Sequence, residues 1–207
     1  MKILRRGLIV LLVVANIGLV IYALKGIKEP VQEVPAPDVK IVKTIEQTKA
    51  MEHPYFKPKE YVAEIPEGDN IALKKPITSN GVNDVYKEIR ANDGDAAGAS
   101  YWEGVNNYPN TLTVDLEQPA KIHSVRITLC PLPIWGKRVQ NISVMISNDG
   151  ANFTELVPAR DYTFDPNAGN EATISFDEIE TRYVQLVITS NTGANGGQVA
   201  EFEVYSK

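Results

Sequence analysis

At 207 residues the chain can bury one full core but hardly two independent ones. A formal charge of −5, with no Lys/Arg stripe beyond the first six residues, argues against a nucleic-acid partner, because phosphate binding needs a clustered basic surface. The single cysteine, Cys130, excludes an internal disulfide framework, so packing or a metal must hold the core; following Val125 to Leu129, it reads as a small buried hydrophobe.

In chain order, Lys2, Arg5 and Arg6 precede an apolar run from Gly7 to Leu24 interrupted only by Asn16. As a helix this run would be about 27 Å long, enough to cross a bilayer core. The leading positive charges predict a cytoplasmic N-terminus and an extracytoplasmic remainder. The exit, Ile21 to Gly26, offers only poor small-residue pairs to a signal peptidase, and no cysteine follows for a lipid anchor. Residues 1–24 are therefore read as a signal anchor, a transmembrane helix that makes the protein single-pass in the cell membrane. Cleavage and secretion are the alternative.

Residues 25–69 change character. Pro30, Pro35, Pro37, Pro54, Pro58 and Pro66 punctuate a charged stretch without a sustained apolar period. Asp38 to Met51 allows a short helix with Val39, Val42 and Ile45 near one face, marginal by itself. The stretch reads as an extended Pro-rich linker, spanning ~40 Å as a coil and ~150 Å at full stretch.

From Asn70 the pattern is β. Thr111 to Leu116 alternates strictly, Ile122 to Leu129 is a second strand, and Ile142 to Ser147 a third, closed by the turn Asn148-Asp149-Gly150. Ala172 to Phe176, Arg182 to Thr189 and Glu201 to Tyr205 follow. Short strands at this spacing predict an all-β sandwich or jelly roll, with one helical turn near Val85-Tyr86.

The order of these pieces carries a resemblance. Asn70 to Thr78 opens the series; Asp93-Gly94-Asp95 is followed by Tyr101-Trp102-Glu103 and then Leu112 to Leu116. Val144 to Gly150, Arg182 to Leu186 and Glu201 to Tyr205 complete it. The series resembles the discoidin, or coagulation factor 5/8 C-terminal-type, domain, and within it the family 32-like bacterial carbohydrate-binding modules. The resemblance covers residues 70–207. It implies a galactose-binding-domain-like jelly-roll β-sandwich whose termini lie together, opposite the ligand-binding loops.

Two constellations carry chemistry. Asp93, Asp95 and Ser100 place hard oxygens in one loop, and Glu201 offers a carboxylate from the last strand, a donor set suited to Ca²⁺. The resemblance adds carbonyls of Arg90 or Ala91 and of Ala200, and makes the ion a structural clamp. Ala96 to Ala99 lengthen this loop by about two residues relative to the relatives, which makes Ser100 the weakest member. The competing reading is an Asp-Gly turn capped by its own carboxylates.

Recognition of sugars pairs an aromatic face with a few fixed polar groups. Galactose-binding relatives place a histidine after the loop Trp and another aromatic three positions on; Glu103 and Asn106 stand there, so the galactose signature is absent. In Pro131 to Arg138, Trp135 between Pro133 and Gly136 is placed for stacking, and Arg138 for bonds to sugar hydroxyls or a uronate. Tyr86, Tyr108 and the Asn191 to Asn195 loop, with Asn195, ring the expected site. Trp102 is assigned to the core and His123 to a strand. No paired carboxylates, nucleophile elbow or phosphate-cradling glycine loop marks an enzyme.

The sequence thus predicts a non-catalytic, membrane-tethered extracytoplasmic module that binds a cell-wall or matrix glycan. The alternatives are a protein-interaction domain with an envelope protein partner, a phospholipid binder using Ile134-Trp135, and a purely structural part of an envelope complex.

Overall fold

The computed structural model describes residues 53–58, 60–96 and 100–207. The expected membrane helix, the expected helix over Asp38 to Met51 and the stretch 97–99 lie outside the described residues. Among the described residues no helix is long and apolar enough to cross a membrane.

The described residues form nine strands: β1 (Asp69–Asn70), β2 (Ile77–Ser79), β3 (Trp102–Glu103), β4 (Asn110–Thr128), β5 (Arg138–Ser147), β6 (Thr154–Phe164), β7 (Glu171–Asn191), β8 (Gln198–Val199) and β9 (Glu201–Ser206). Four 3-10 turns accompany them, at Pro54–Phe56, Glu88–Ala91, Pro133–Trp135 and Pro166–Ala168. The hydrogen-bonded order is β1-β9-β4-β7-β5-β6 with β2 also on β4, while β3 and β8 form a separate ribbon. All pairings are antiparallel.

Two strands supply both layers of the sandwich. The first half of β4 pairs with β2 and the end of β7; its second half pairs with β9 and the start of β7. The register breaks between Asp115 and Ala120, where Glu117 has a φ of 70° and Pro119 cannot donate to a ladder. Thr111 to Leu116 and Ile122 to Leu129, expected as two strands, are thus the arms of one bent strand. Ala172 to Phe176 and Arg182 to Thr189 join in the same way within β7. The break residues bend the chain without releasing its pairing.

Both arms of β4 send alternate side chains inward: Leu112, Val114 and Leu116 from one, Ile122, Val125 and Ile127 from the other. Trp102, Phe164, Leu186 and Phe202 fill the space between the layers with no exposed surface, each worth about 1.5–3 kcal/mol or more of burial. The Trp102 indole N–H donates to the Gly81 carbonyl at 3.1 Å, so the core position costs no orphaned polar group. Cys130 is buried, and burial pushes its thiol pKa upward, away from reactivity.

The outer side of the β4–β9 layer is polar but covered. Arg126 sits between Glu171 and Glu203, donating to Glu203 Oε2 at 2.8 Å, and the Tyr205 hydroxyl donates to the same carboxylate at 2.9 Å. Burial, then Glu203, pushes the Tyr205 pKa up to about 12. A strap of residues 60–68 runs along this layer. His123 Nε2 meets the Glu67 carbonyl at 3.0 Å, and the Tyr61 hydroxyl donates to Glu171 Oε1 at 2.9 Å. The Tyr61 ring lies so close over Gly169 that a Cβ there would stand 2.1 Å from Cε1. Asp69 pairs with Ser206, so both ends of the sandwich meet at one pole. Thr128 and Glu201, paired at the other end of β9, lead into the opposite pole, where the loops gather.

Candidate functional site at the loop pole

The ribbon of β3 and β8 builds the site. Its register pairs Trp102 with Val199 and Glu103 with Gln198. Because side chains alternate, sending Trp102 into the core turns Tyr101 and Glu103 the other way. Both carboxylate oxygens of Glu103 are held: Oε1 accepts from Asn83 Nδ2 at 2.7 Å and Oε2 from Gln198 Nε2 at 2.8 Å. The other end of the Gln198 amide, Oε1, accepts from Arg138 Nη1. One buried amide therefore links an acid to a base.

Arg138 is only 6% exposed, its guanidinium 4.8 Å from the Trp135 ring centre. Gly193 approaches closely enough that a Cβ would stand 2.8 Å from Arg138 Nε. Burial works against the charge on Arg138, and Glu103 is the first of the groups that sustain it. Beside this relay stand three half-buried rings. Tyr86 stacks on Tyr101 at 4.3 Å and 22°, and Tyr101 meets Trp135 edge-on at 4.6 Å and 86°. Burial, followed by the Tyr86 contact, raises the pKa of the Tyr101 hydroxyl.

The structure brings together four of the six expected ligand residues: Tyr86, Glu103, Trp135 and Arg138. Asn106 and Asn195 stand exposed on flanking loops. Trp135 is not the exposed platform that its Pro/Gly setting suggests; its ring packs against the core, Tyr101 and Arg138 and shows only part of its surface. Arg138 lies beneath the site rather than on its rim, since β5 begins there and points it inward. Tyr101, Asn83 and Gln198 were not singled out from the sequence. For Tyr101 the signal was present: with Trp102 in the core, its neighbours on an extended strand must face away. A partly shielded carboxylate keeps accepting capacity beyond two bonds, so Glu103 can also take hydrogen bonds from hydroxyl or ammonium groups above the rings. The site is shallow. A separate groove of about 390 Å³ crosses the outer sheet face between Thr78, Thr111, Thr113, Phe153, Tyr183 and Gln185.

The Asp-rich loop and the last strand are joined by a direct hydrogen bond. Glu201 is 3% exposed, and its Oε1 accepts the Gly94 N–H at 2.8 Å. Asp93 lies beside it, receiving Ser100 Oγ on Oδ2 and the Asp95 N–H on Oδ1 at 2.8 Å. Burial pushes the Glu201 pKa up to about 7; the Gly94 bond opposes this and Asp93 adds to it. A buried carboxylate beside a half-buried one fits a divalent cation, which would remove their mutual repulsion. Among the described residues no group of three or more His, Cys, Asp or Glu converges as a metal cluster. Asp95 is exposed, Arg90 belongs to the turn Glu88–Ala91, and Ala200 is buried with its N–H on the Thr128 carbonyl at 2.8 Å.

Residues 76–202 match the F5/8 type C domain family. The chain belongs to that family. This F5/8 type C domain is similar in fold to three solved binding modules. A chitosan-binding module in complex with chitotriose, from a Paenibacillus chitosanase/glucanase, is 22% identical with a TM-score of 0.52, covering 66% of this chain and 100% of that one. A pectin-binding carbohydrate-binding module is 19% identical with a TM-score of 0.55, covering 65% and 92%. A CBM32 module from Clostridium perfringens, in complex with GalNAc-β-1,3-galactose, is 19% identical with a TM-score of 0.52, covering 63% and 94%. No curated protein sequence matches the chain.

Proposed function

We propose that this F5/8 type C domain is a glycan-binding module without catalytic activity of its own, and that its site is the loop-pole cluster of Tyr86, Tyr101, Glu103 and Trp135. The observation that carries the reading is the fixed carboxylate of Glu103 beside that row of rings. Rings take the apolar face of a sugar, and a preorganised acceptor orients its hydroxyls. Arg138 and Gln198 act from below, holding Glu103 in place. The accessible charge of the site is therefore negative, which favours neutral or amino-bearing sugars over uronates. The fold likeness to modules bound to chitotriose and to GalNAc-β-1,3-galactose agrees with this class of ligand.

The same reading assigns Asp93, Ser100 and Glu201, with Asp95 and carbonyls of Arg90 and Ala200, to a structural Ca²⁺ that ties the Asp-rich loop to β9. The apolar run Gly7 to Leu24 supports a single-pass anchor with the domain outside the cytoplasm. Affinity at one shallow site is expected to be weak, and display on a membrane would raise it through avidity. The test is a glycan microarray probed with the purified full-length chain and with Trp135→Ala. Binding by the wild type that the variant loses supports the reading. Silence across the array, together with a protein partner recovered by pull-down, would replace it with an interaction domain.

A further inference from the structure

The strap of residues 60–68 climbs from the pole of the termini, where Asp69 meets Ser206, to Tyr61 on Glu171 and Gly169 near the loop pole. The residues before it arrive beside the candidate site: the turn Pro54–Phe56 lies against the turn Pro133–Trp135. The first of these turns is a built structure. His53 Nδ1 caps it by accepting the Tyr55 N–H at 3.3 Å, and Pro54 presets its first dihedral. Phe56 N–H donates to the His53 carbonyl at 2.9 Å, and Lys57 N–H closes it on the Pro54 carbonyl. A turn this well defined nevertheless displays its apolar side chains. Tyr55 is 59% exposed and Phe56 45%, beside Ile134 at 53%. The ring of His53 leans on Tyr55 at 4.7 Å, fixing it further.

We propose that Tyr55 and Phe56 form an outer subsite of the glycan site, taking the sugar units that extend beyond the unit held at Glu103. The proposal rests on the glycan reading above and deepens it. The occupant follows from continuity: the ring row Tyr86, Tyr101, Trp135 ends in the very turn against which Pro54–Phe56 lies. A single chain of pyranoses can follow that row from one turn to the next, whereas a monosaccharide cannot reach both ends. Rigid, half-exposed aromatics lose little conformational freedom on stacking, which suits them to recognition and not to core packing. The strap thereby makes the segment before the family-matched residues 76–202 part of the binding surface, in addition to its role as a connector.

The test uses the full-length chain and a microarray graded from monosaccharides to hexasaccharides, chitosan oligomers among them, with vesicles of neutral and anionic phospholipid as a second probe. Wild type should bind long oligomers better than short ones. Tyr55→Ala/Phe56→Ala should lose about tenfold in affinity for the long oligomers and nothing for the short ones, with an unchanged melting curve. Tyr55→Trp should retain the length preference. Equal binding of long oligomers by wild type and the double variant would overturn the subsite while leaving the glycan reading intact. Absence of wild-type binding to any sugar would overturn both. Loss of vesicle binding in the double variant, with sugar binding unchanged, would assign the two rings to a lipid surface instead.

Discussion

Glu103 and Gln198 are register partners across the β3–β8 ribbon, and Gln198 Nε2–H donates to Glu103 Oε2 at 2.8 Å while its carbonyl oxygen accepts from Arg138. Residues 95 positions apart in sequence thus fix the carboxylate that stands beside the ring row. Neither partner is free to move without disturbing the other. The site's geometry is inherited from a two-residue strand pairing, which explains how so small a sheet can matter.

Gln198→Ala removes these two bonds and a longer one from Asn191 Nδ2, and leaves the buried Arg138 guanidinium short of an acceptor. A loss of about 1–3 kcal/mol in unfolding free energy is expected from an orphaned buried donor. Glu103→Gln turns one of two occupied acceptors into a donor facing Asn83 or Gln198 and removes the charge that sustains Arg138, so its denaturant midpoint should also fall, by less than that of Gln198→Ala. Urea titration of both variants checks the contrast.

Arg126→Leu should be the more damaging change on the opposite layer. It leaves Glu171 and Glu203 beside each other under the strap without their shared cation. Breaking a buried pair of this kind costs about 3–5 kcal/mol. Replacing Tyr61 by Phe, which removes only its bond to Glu171, should cost about 1 kcal/mol. The two unfolding free energies can be compared directly.

The Asp115–Arg182 pair makes stability depend on pH. Hydrogen bonds from Arg182 hold the Asp115 pKa below its ordinary 3.8. A depressed carboxylate contributes stability that is fully present above its unfolded value and lost as pH falls through the folded one. Arg182→Gln should therefore lower the urea midpoint at pH 7, and the difference from wild type should shrink steadily below pH 4. A pH-independent difference would mean that Arg182 acts through its packing on Tyr183 instead.

The Asp93–Glu201 pair predicts a response to divalent metal. Ca²⁺ should raise the melting temperature of the purified chain and EDTA should reverse it, as for any ligand of the folded state alone. Glu201→Gln should abolish the response while raising the melting temperature in EDTA, because it removes a buried carboxylate beside the half-buried Asp93. Differential scanning fluorimetry with and without Ca²⁺ measures both.

Much of the fold was legible because burial alternates cleanly: Leu112, Val114 and Leu116 announce an inward face before any pairing is known. Strand β6 was not, because its residues are mostly exposed, Pro158 interrupts it, and only Tyr162 and Phe164 are buried, with Leu156 and Val157 half-buried against the core. The joining of strands within β4 and β7 was hidden for a different reason: Glu117 to Pro119 reads as a stop, whereas pairing with β7 carries the chain through a bend. At the site, Glu103 and Trp135 were visible as residues out of place in a core. Arg138 was visible as a site residue, but in a ligand-facing role, and Gln198 was not, since the bond between them depends on a tertiary pairing across 60 residues. The strap was the least legible part, because its proline-rich composition describes a spacer and its attachments are single contacts with distant strands.

The most direct measurement is isothermal titration of the full-length chain with the strongest oligosaccharide from the array, comparing wild type with Glu103→Gln. Saturable binding by wild type is expected, weakened at least tenfold in the variant, as when a charge-assisted hydrogen bond is lost, with the titration run at a temperature where both proteins are folded. Equal binding by both proteins would contradict it.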